Sequence, residues 1–376
     1  MSESFGFLST YPPTQCGLAT FTASLATHVG DGAEVGIVRV VDRFEADVRS
    51  AVVHQLVTGA TGSEVSAAAA LNRFDVAVVQ HEYGIYGGED GAAVIEILRR
   101  VQARTIVVLH TVLACPTAHQ RAILEEVVCL ADAVVVMTGT ARRRLLDGYL
   151  VDPAKLVVIP HGAPTDWAAG ASVKRDDGPA TIVTWGLLGP GKGIEWAIQA
   201  VAALGDLDPP PRYLVAGETH PRVLEHQGNA YRDQLISEVA ELGIGDRVEF
   251  DDRYLDQTSL RQLVASADVV VLPYDSKDQV TSGVLIEAVT CRRPVVATAF
   301  PHAVELLSNG AGIVVPQQDA PALAAALRDI LTTPGLAPSM VHAAERLAPE
   351  LTWRAVGDRY RVLGRRLVGN AMPVVA

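Results

Sequence analysis

At 376 residues the chain is long enough for two domains of ordinary size, and its 49% of apolar residues can fill two cores. A net charge of −12 and a pI of about 5.3 exclude a general nucleic-acid or anionic-membrane surface, so any basic site has to be local. Aromatics at 5% exclude stacking platforms for single strands. Cys16, Cys115, Cys129 and Cys291 form no CxxC pair and no metal-like spacing, which fits free thiols in a reducing compartment. The opening MSESFGFLSTYPP has no basic region before its short apolar run, and no apolar run approaches the roughly 18 residues of a membrane helix. A cytoplasmic protein is the expectation.

In chain order, Phe5–Ser9 predicts a strand. Pro12 and Pro13 break it, and Gly17 precedes the apolar-periodic helix Ala19–Val29. This turn-rich loop between a first strand and a first helix is where open α/β sheets bind ligands, but it carries no GxGxxG fingerprint. Strands follow at Glu34–Val41 and Val52–Val57, then an alanine-rich helix at Gly62–Leu71. The buried strand Asp75–Gln80 ends in His81-Glu82-Tyr83. A helix over Gly91–Val101 and a strand over Thr105–Leu109 come next, the latter ending in His110-Thr111. Two consecutive strands that each end in a histidine place both imidazoles along one rim of a parallel sheet. Helix Ala118–Leu130, strand Ala133–Met137, helix Gly139–Tyr149 and strand Leu156–Ile159, closing in Pro160-His161-Gly162, complete a first alternating run. Strict strand–helix alternation predicts a doubly wound parallel sheet.

Residues 163–179 are polar and rich in Gly, Pro and Asp, and break the rhythm. The predicted division is a first Rossmann-like domain over 1–165, a linker over 166–179, a second Rossmann-like domain over 180–350, and a terminal segment over 351–376. In the second half the strand Ala180–Thr184 leads into WGLLGPGKGIEW, where Gly186, Gly189, Gly191 and Gly193 surround Lys192 just before a helix. Mobile glycines and one lysine at a helix start suit a diphosphate, although the spacing is not a Walker motif. Strands at Tyr213–Ala216 and Arg247–Phe250 follow, the second running into Asp251-Asp252-Arg253-Tyr254-Leu255. Helices are expected at Tyr231–Leu242 and Leu260–Ala267. The apolar run Asp268–Pro273 precedes QVTSGVLIEAVTCRRP (279–294). Here Thr281, Ser282 and Gly283 mark a capped helix start suited to phosphate, with Glu287 about one turn in, where a carboxylate meets sugar hydroxyls. Strands at Pro294–Thr298 and Gly312–Pro316 and helices at Pro321–Leu331, Leu336–Leu347 and Thr352–Leu367 finish the chain.

Together these stretches resemble the retaining glycosyltransferases of family 4 (glycosyl transferases group 1), which have the GT-B fold. The most specific parts are Gly186–Gly193 and Gln279–Glu287 followed by Ala288, with His110 and His161-Gly162 also in place. The resemblance implies two facing Rossmann-like domains with the active site in the cleft, and a last helix returning to the first domain. It implies that Lys192 neutralises the donor diphosphate and that Glu287 holds the nucleotide ribose. Thr281, Ser282 and Gly283 would face the phosphates and sugar, and Arg253 and Tyr254 would lie in the base-binding loop. His110 would reach the transferred sugar, Gly17, Gly186 and Gly191 would let the donor approach, and His81, Glu82 and Tyr83 would line the acceptor side. Two positions depart from the pattern. Leu187 stands where an arginine is usual, and Gln279 replaces the first glutamate of Glu-x7-Glu. Arg253, Arg222 or Lys277 would then supply the second positive charge.

The expected activity is transfer of a hexose from a nucleotide diphosphate sugar to a hydroxyl of a small-molecule, glycan or glycoconjugate acceptor with retention. It would need no cofactor and no metal, because Lys192 does part of a metal's work and Asp251-Asp252 reads as a turn. The resemblance implies front-face attack, with a leaving phosphate oxygen taking the acceptor proton, which needs no nucleophilic carboxylate. The alternatives are a catalytically weak nucleotide-sugar-binding protein or partner subunit of the same fold, an epimerase or a phosphorylase. A dehydrogenase is disfavoured by the missing GxGxxG. No nucleic-acid partner is expected, and a homo-oligomer is compatible with the sequence.

Overall fold

The computed structural model describes residues 3–46, 49–164 and 178–369, and these divide into two compact units. The first unit comprises Met1–Gly162 and Trp353–Ala376, and the second Ala163–Thr352. Most of the stretch expected to be the linker, 165–177, lies outside the described residues.

The first unit is built on seven strands: β1 (Ser4–Ser9), β2 (Glu34–Val41), β3 (Val52–Val57), β4 (Val76–His81), β5 (Arg104–Leu109), β6 (Ala133–Val136) and β7 (Leu156–Val158). They pair in the order β3-β2-β1-β4-β5-β6-β7, every pair parallel. The central strands are runs of Val, Ile and Phe buried on both faces, as a sheet covered by helices on either side demands. Trp353–Gly369, the last helix, packs in this unit. Trp353, Val356, Tyr360 and Leu363 join the core that holds Phe5, Phe21, Val76 and Ile106. The approach is tight at small residues. A Cβ on Gly364 would come within 2.6 Å of Phe5, and one on Gly357 within 3.0 Å of His28.

The second unit carries β8 (Thr181–Trp185), β9 (Arg212–Ala216), β10 (Val248–Asp251), β11 (Val269–Leu272), β12 (Val295–Thr298) and β13 (Gly312–Val315). Their order is β10-β9-β8-β11-β12-β13, again all parallel. Each sheet therefore reverses its winding once, between β1 and β4 in the first unit and between β8 and β11 in the second. At such a reversal the loops leaving two adjacent strands part to opposite faces and leave a crevice at the carboxyl ends, where α/β folds bind ligands.

The alternation read from the sequence is present, and it builds two parallel Rossmann-like sheets. Two short helices were not foreseen, Pro221–Gln227 and Pro301–Leu306, because each is too short for a full amphipathic period. The helix expected over 91–101 is shorter, Ala93–Leu98. It is preceded by a 3₁₀ turn in which Asp90 has φ = 50°.

Trp353 ties the end of the chain to the first unit's core, stacking edge-on against Phe21 at 5.0 Å and lying against Gly162. Trp353→Ala is expected to cost roughly 3–5 kcal/mol of the first unit's stability, measured as a lower urea midpoint.

Candidate functional site

The second unit's crevice is flanked by the loops after β8 and β11. The first runs from Gly186 to Gly193, and backbone conformation explains its glycines at three points. Gly186 has φ = 117°, Gly191 φ = 86° and Gly193 φ = 63°, all unfavourable for an L side chain. A Cβ on Gly193 would lie 1.9 Å from Pro273 O, so only glycine lets this loop lie against the end of β11. Asp275 N donates to Gly191 O at 3.0 Å, and Trp196 Nε1 donates to Asp275 Oδ2 at 3.0 Å. These bonds hold the glycine turn down at its middle and from the following helix.

Lys192, borne by this turn, places its Nζ 4.5 Å from the centre of the Tyr274 ring. Burial pulls its pKa below the usual lysine value, and among the described residues no carboxylate pairs with it. Tyr274 in turn lies beside Ser282 and Glu287. Burial raises its hydroxyl pKa, Ser282 opposes the rise and the Glu287 charge adds to it. The Tyr274 hydroxyl has no hydrogen bond of acceptable geometry, nor have the buried Asp275 Oδ1 and Thr281 Oγ1. Orphaned buried polar atoms are costly, so these three suit a place that takes a polar partner.

The helix expected at the second loop spans Gly283–Thr290 with Ser282 as its N-cap, and Ser282 Oγ accepts from Leu285 N at 3.3 Å. The N–H groups of Gly283 and Val284 are left without intrahelical partners at the positive end of the helix. A Cβ on Gly186 would lie 3.6 Å from the Val284 side chain, so the glycine loop and this helix start adjoin. The N–H of Ser282 itself is engaged, donating to His302 Nδ1 at 2.8 Å. Glu287, one turn along, is half-buried and accepts from Trp185 Nε1 at 3.0 Å. Burial pushes its pKa up to about 7, and the Trp185 bond acts against the rise.

The other second-unit candidates are less central. Arg253 is exposed and donates from Nε and Nη2 to both oxygens of Asp251, at 2.9 and 2.7 Å, so its charge is engaged there. Asp251, expected in a turn, is instead the last residue of β10, paired with Ala216. Tyr254 is 42% exposed. Gln279 donates from Nε2 to Thr281 O within its own loop.

In the first unit, Gly17 opens the helix Gly17–Gly30 with open space where a side chain would be, and Cys16 caps that helix. His110 Nε2 donates to Gln80 Oε1 at 2.7 Å, and its ring meets Phe21 edge-on at 4.7 Å. Desolvation, then the neighbouring His161 and His81, bring its pKa down to about 3. His81 and His161 are each lowered to about 4, chiefly by burial, so all three imidazoles are neutral at physiological pH. His81 is 1% exposed and forms the wall behind Tyr83. Glu82 accepts from Tyr83 N at 3.0 Å and Thr111 Oγ1 at 2.6 Å.

Sequence reading missed Trp185, Tyr274, Arg232 and His302. Arg232 is buried, donates from Nη2 to Gly217 O and leaves Nη1 unpartnered. Its only signal was an arginine on an otherwise apolar helical face. Trp185 ends β8 and Tyr274 lies two residues past the end of β11, both at the reversal point, which was a usable signal.

Residues 167–347 match the family described as glycosyl transferases group 1. A D-inositol 3-phosphate glycosyltransferase of Kineococcus radiotolerans is 30% identical over 265 residues, covering 65% of this chain and 59% of that protein. The chain spans about half to three-fifths of the length of the curated relatives it matches. Among solved structures, a sucrose-phosphate synthase from Thermosynechococcus elongatus superposes with a TM-score of 0.79 at 19% identity, covering 98% of this chain and 100% of that one. Anabaena HepE in complex with UDP and glucose superposes with a TM-score of 0.74 at 17% identity, covering 96% and 99%. Among the described residues no helix is long and apolar enough to cross a membrane.

Glu287 gives this site a pH signature. Its folded-state pKa lies above the ordinary 4.5, so its protonated form is favoured by folding. Its contribution to stability is present below pH 4.5 and is lost as pH rises toward 7. Glu287→Gln is expected to remove that slope in unfolding experiments between pH 5 and 7.5. Trp185→Phe should shift the Glu287 carboxyl titration, followed by carbon NMR, to still higher pH. The match to glycosyl transferases group 1 covers residues 167–347, most of the second unit, and the chain has the GT-B fold.

Proposed function

We propose that the protein is a retaining glycosyltransferase that moves a hexose from a nucleotide diphosphate sugar to an acceptor hydroxyl. The observation that carries this reading is Lys192. Its half-buried ammonium lies over the Tyr274 ring with no carboxylate partner among the described residues, on a loop that adjoins the next helix start at Val284. A partly desolvated cation without a counter-ion loses hydration that nothing replaces, and a diphosphate supplies the missing charge.

In this mechanism Lys192 and the N–H groups of Gly283 and Val284 stabilise the negative charge that grows on the leaving diphosphate. Glu287, fixed by Trp185, binds the ribose hydroxyls as a carboxylate. The sugar passes through an oxocarbenium-like state, and the leaving phosphate oxygen takes the acceptor's proton. Charge neutralisation is assigned to Lys192 and the helix start rather than to a divalent ion. We assign to His110 the family's role toward the transferred sugar. Its neutral ring, with Nε2 donating to Gln80, leaves Nδ1 as an acceptor for a hydroxyl. His81, Glu82 and Tyr83 are assigned to the acceptor side, His81 as support behind the other two.

A second reading, a nucleotide-sugar-binding protein without transfer, draws on Leu187 and on Gln279, whose amide is turned back onto its own loop. Donor hydrolysis that no acceptor accelerates would favour it.

A thermal-shift screen against UDP, GDP, ADP and their sugars is expected to raise the melting temperature with one nucleotide class. Lys192→Ala should then reduce turnover by about a hundredfold or more with the melting temperature of the free protein unchanged. Near wild-type turnover would remove Lys192 from the diphosphate. Glu287→Ala should weaken nucleotide binding in calorimetry, and unchanged affinity would refute the ribose contact.

A further inference from the structure

The loop entering the helix Gly283–Thr290 is closed by three hydrogen bonds to itself and to His302. Gln279 Nε2 donates to Thr281 O. The main-chain N–H of His302 donates to Gln279 O at 3.3 Å, and Ser282 N–H donates to His302 Nδ1 at 2.8 Å. His302 is the second residue of the short helix Pro301–Leu306, just past β12, and is 3% exposed.

The N–H of an N-cap residue is ordinarily taken by a Glu or Gln at the third helical position. Here that position is Leu285, which cannot accept, and His302 supplies the acceptor from another element. A ring nitrogen that accepts an N–H carries no proton, so the imidazole is in the neutral Nε2–H tautomer. A carboxylate in either role would place a negative charge at the helix start, against an incoming phosphate. Moreover, a glutamate at 279 could not donate to Thr281 O. Gln279 and His302 thus form one neutral device.

We propose that His302 is the positioning residue of this loop. Through Nδ1 it fixes Ser282 and so aims the N–H groups of Gly283 and Val284 at the donor's pyrophosphate. Gly283 has no side chain to hold its own peptide plane, and amides set in advance lose nothing to reorientation on binding. This inference rests on the nucleotide-diphosphate reading of the site. It also accounts for the departure at position 279 as a donor required by the loop.

The test compares His302→Asn, whose Oδ1 can replace Nδ1 as acceptor, with His302→Phe, which keeps the bulk and removes the acceptor. Amide exchange at Ser282 is read by NMR, and UDP, GDP and ADP are titrated by calorimetry. His302→Phe is expected to speed Ser282 exchange and to weaken the preferred nucleotide about tenfold. His302→Asn is expected to restore both to within about threefold. Wild-type-like exchange and affinity in His302→Phe, or equal damage in both variants, would overturn the role of His302. A wild-type protein that binds none of the three nucleotides would instead overturn the nucleotide reading, and with it the target assigned to the loop. The Ser282 exchange rates would still decide whether His302 holds the cap.

Discussion

The second unit depends on one electrostatic constraint: a partly desolvated ammonium group has no counter-charge among the described residues. Lys192 is carried there by a turn that only glycine can make, because the turn lies against the carbonyl of Pro273. The aromatic face of Tyr274 supplies partial compensation, worth less than an ion pair. The remaining parts of the site follow from that arrangement. The Tyr274 hydroxyl and Thr281 Oγ1 have no hydrogen-bond partner among the described residues, and the glycine loop adjoins the helix start at Val284. Unpaired polar groups of this kind are costly when left empty and gain from a polar partner.

Much of the fold was legible because its strands are short, apolar and buried on both faces, and because helices separate them regularly. Valine runs such as Val76–Val79 and Val269–Leu272 have few alternative readings once a helix precedes and follows them. The short helices Pro221–Gln227 and Pro301–Leu306 were not legible, since neither completes the periodic face from which a helix is recognised. His302 was hidden for the same reason, lying on one of them.

The site was legible where chemistry depends on the backbone. Glycines around a lysine and a hydroxyl before a helix are local signals, and the crossing of the two loops follows from the sheet's reversal between β8 and β11. What stayed hidden depends on partners far apart in the chain. Trp185 meets Glu287 across 102 residues, and His302 meets Ser282 across 20. Arg253 illustrates the converse: a cation in a suitable loop is committed to a neighbouring aspartate two residues away.

The first strand-like pairing of the second unit is with its own last residues. Ala163 N donates to Leu351 O at 2.7 Å, and Ala163 bridges Thr352 in parallel. Its entry and exit are therefore side by side, so the unit is a cassette inserted into the chain at a single point. Recombination can exchange such a cassette as one piece, with two splice points only. The second unit's crevice can in that way change hands between chains while the first unit's sheet and closing helix stay as they are.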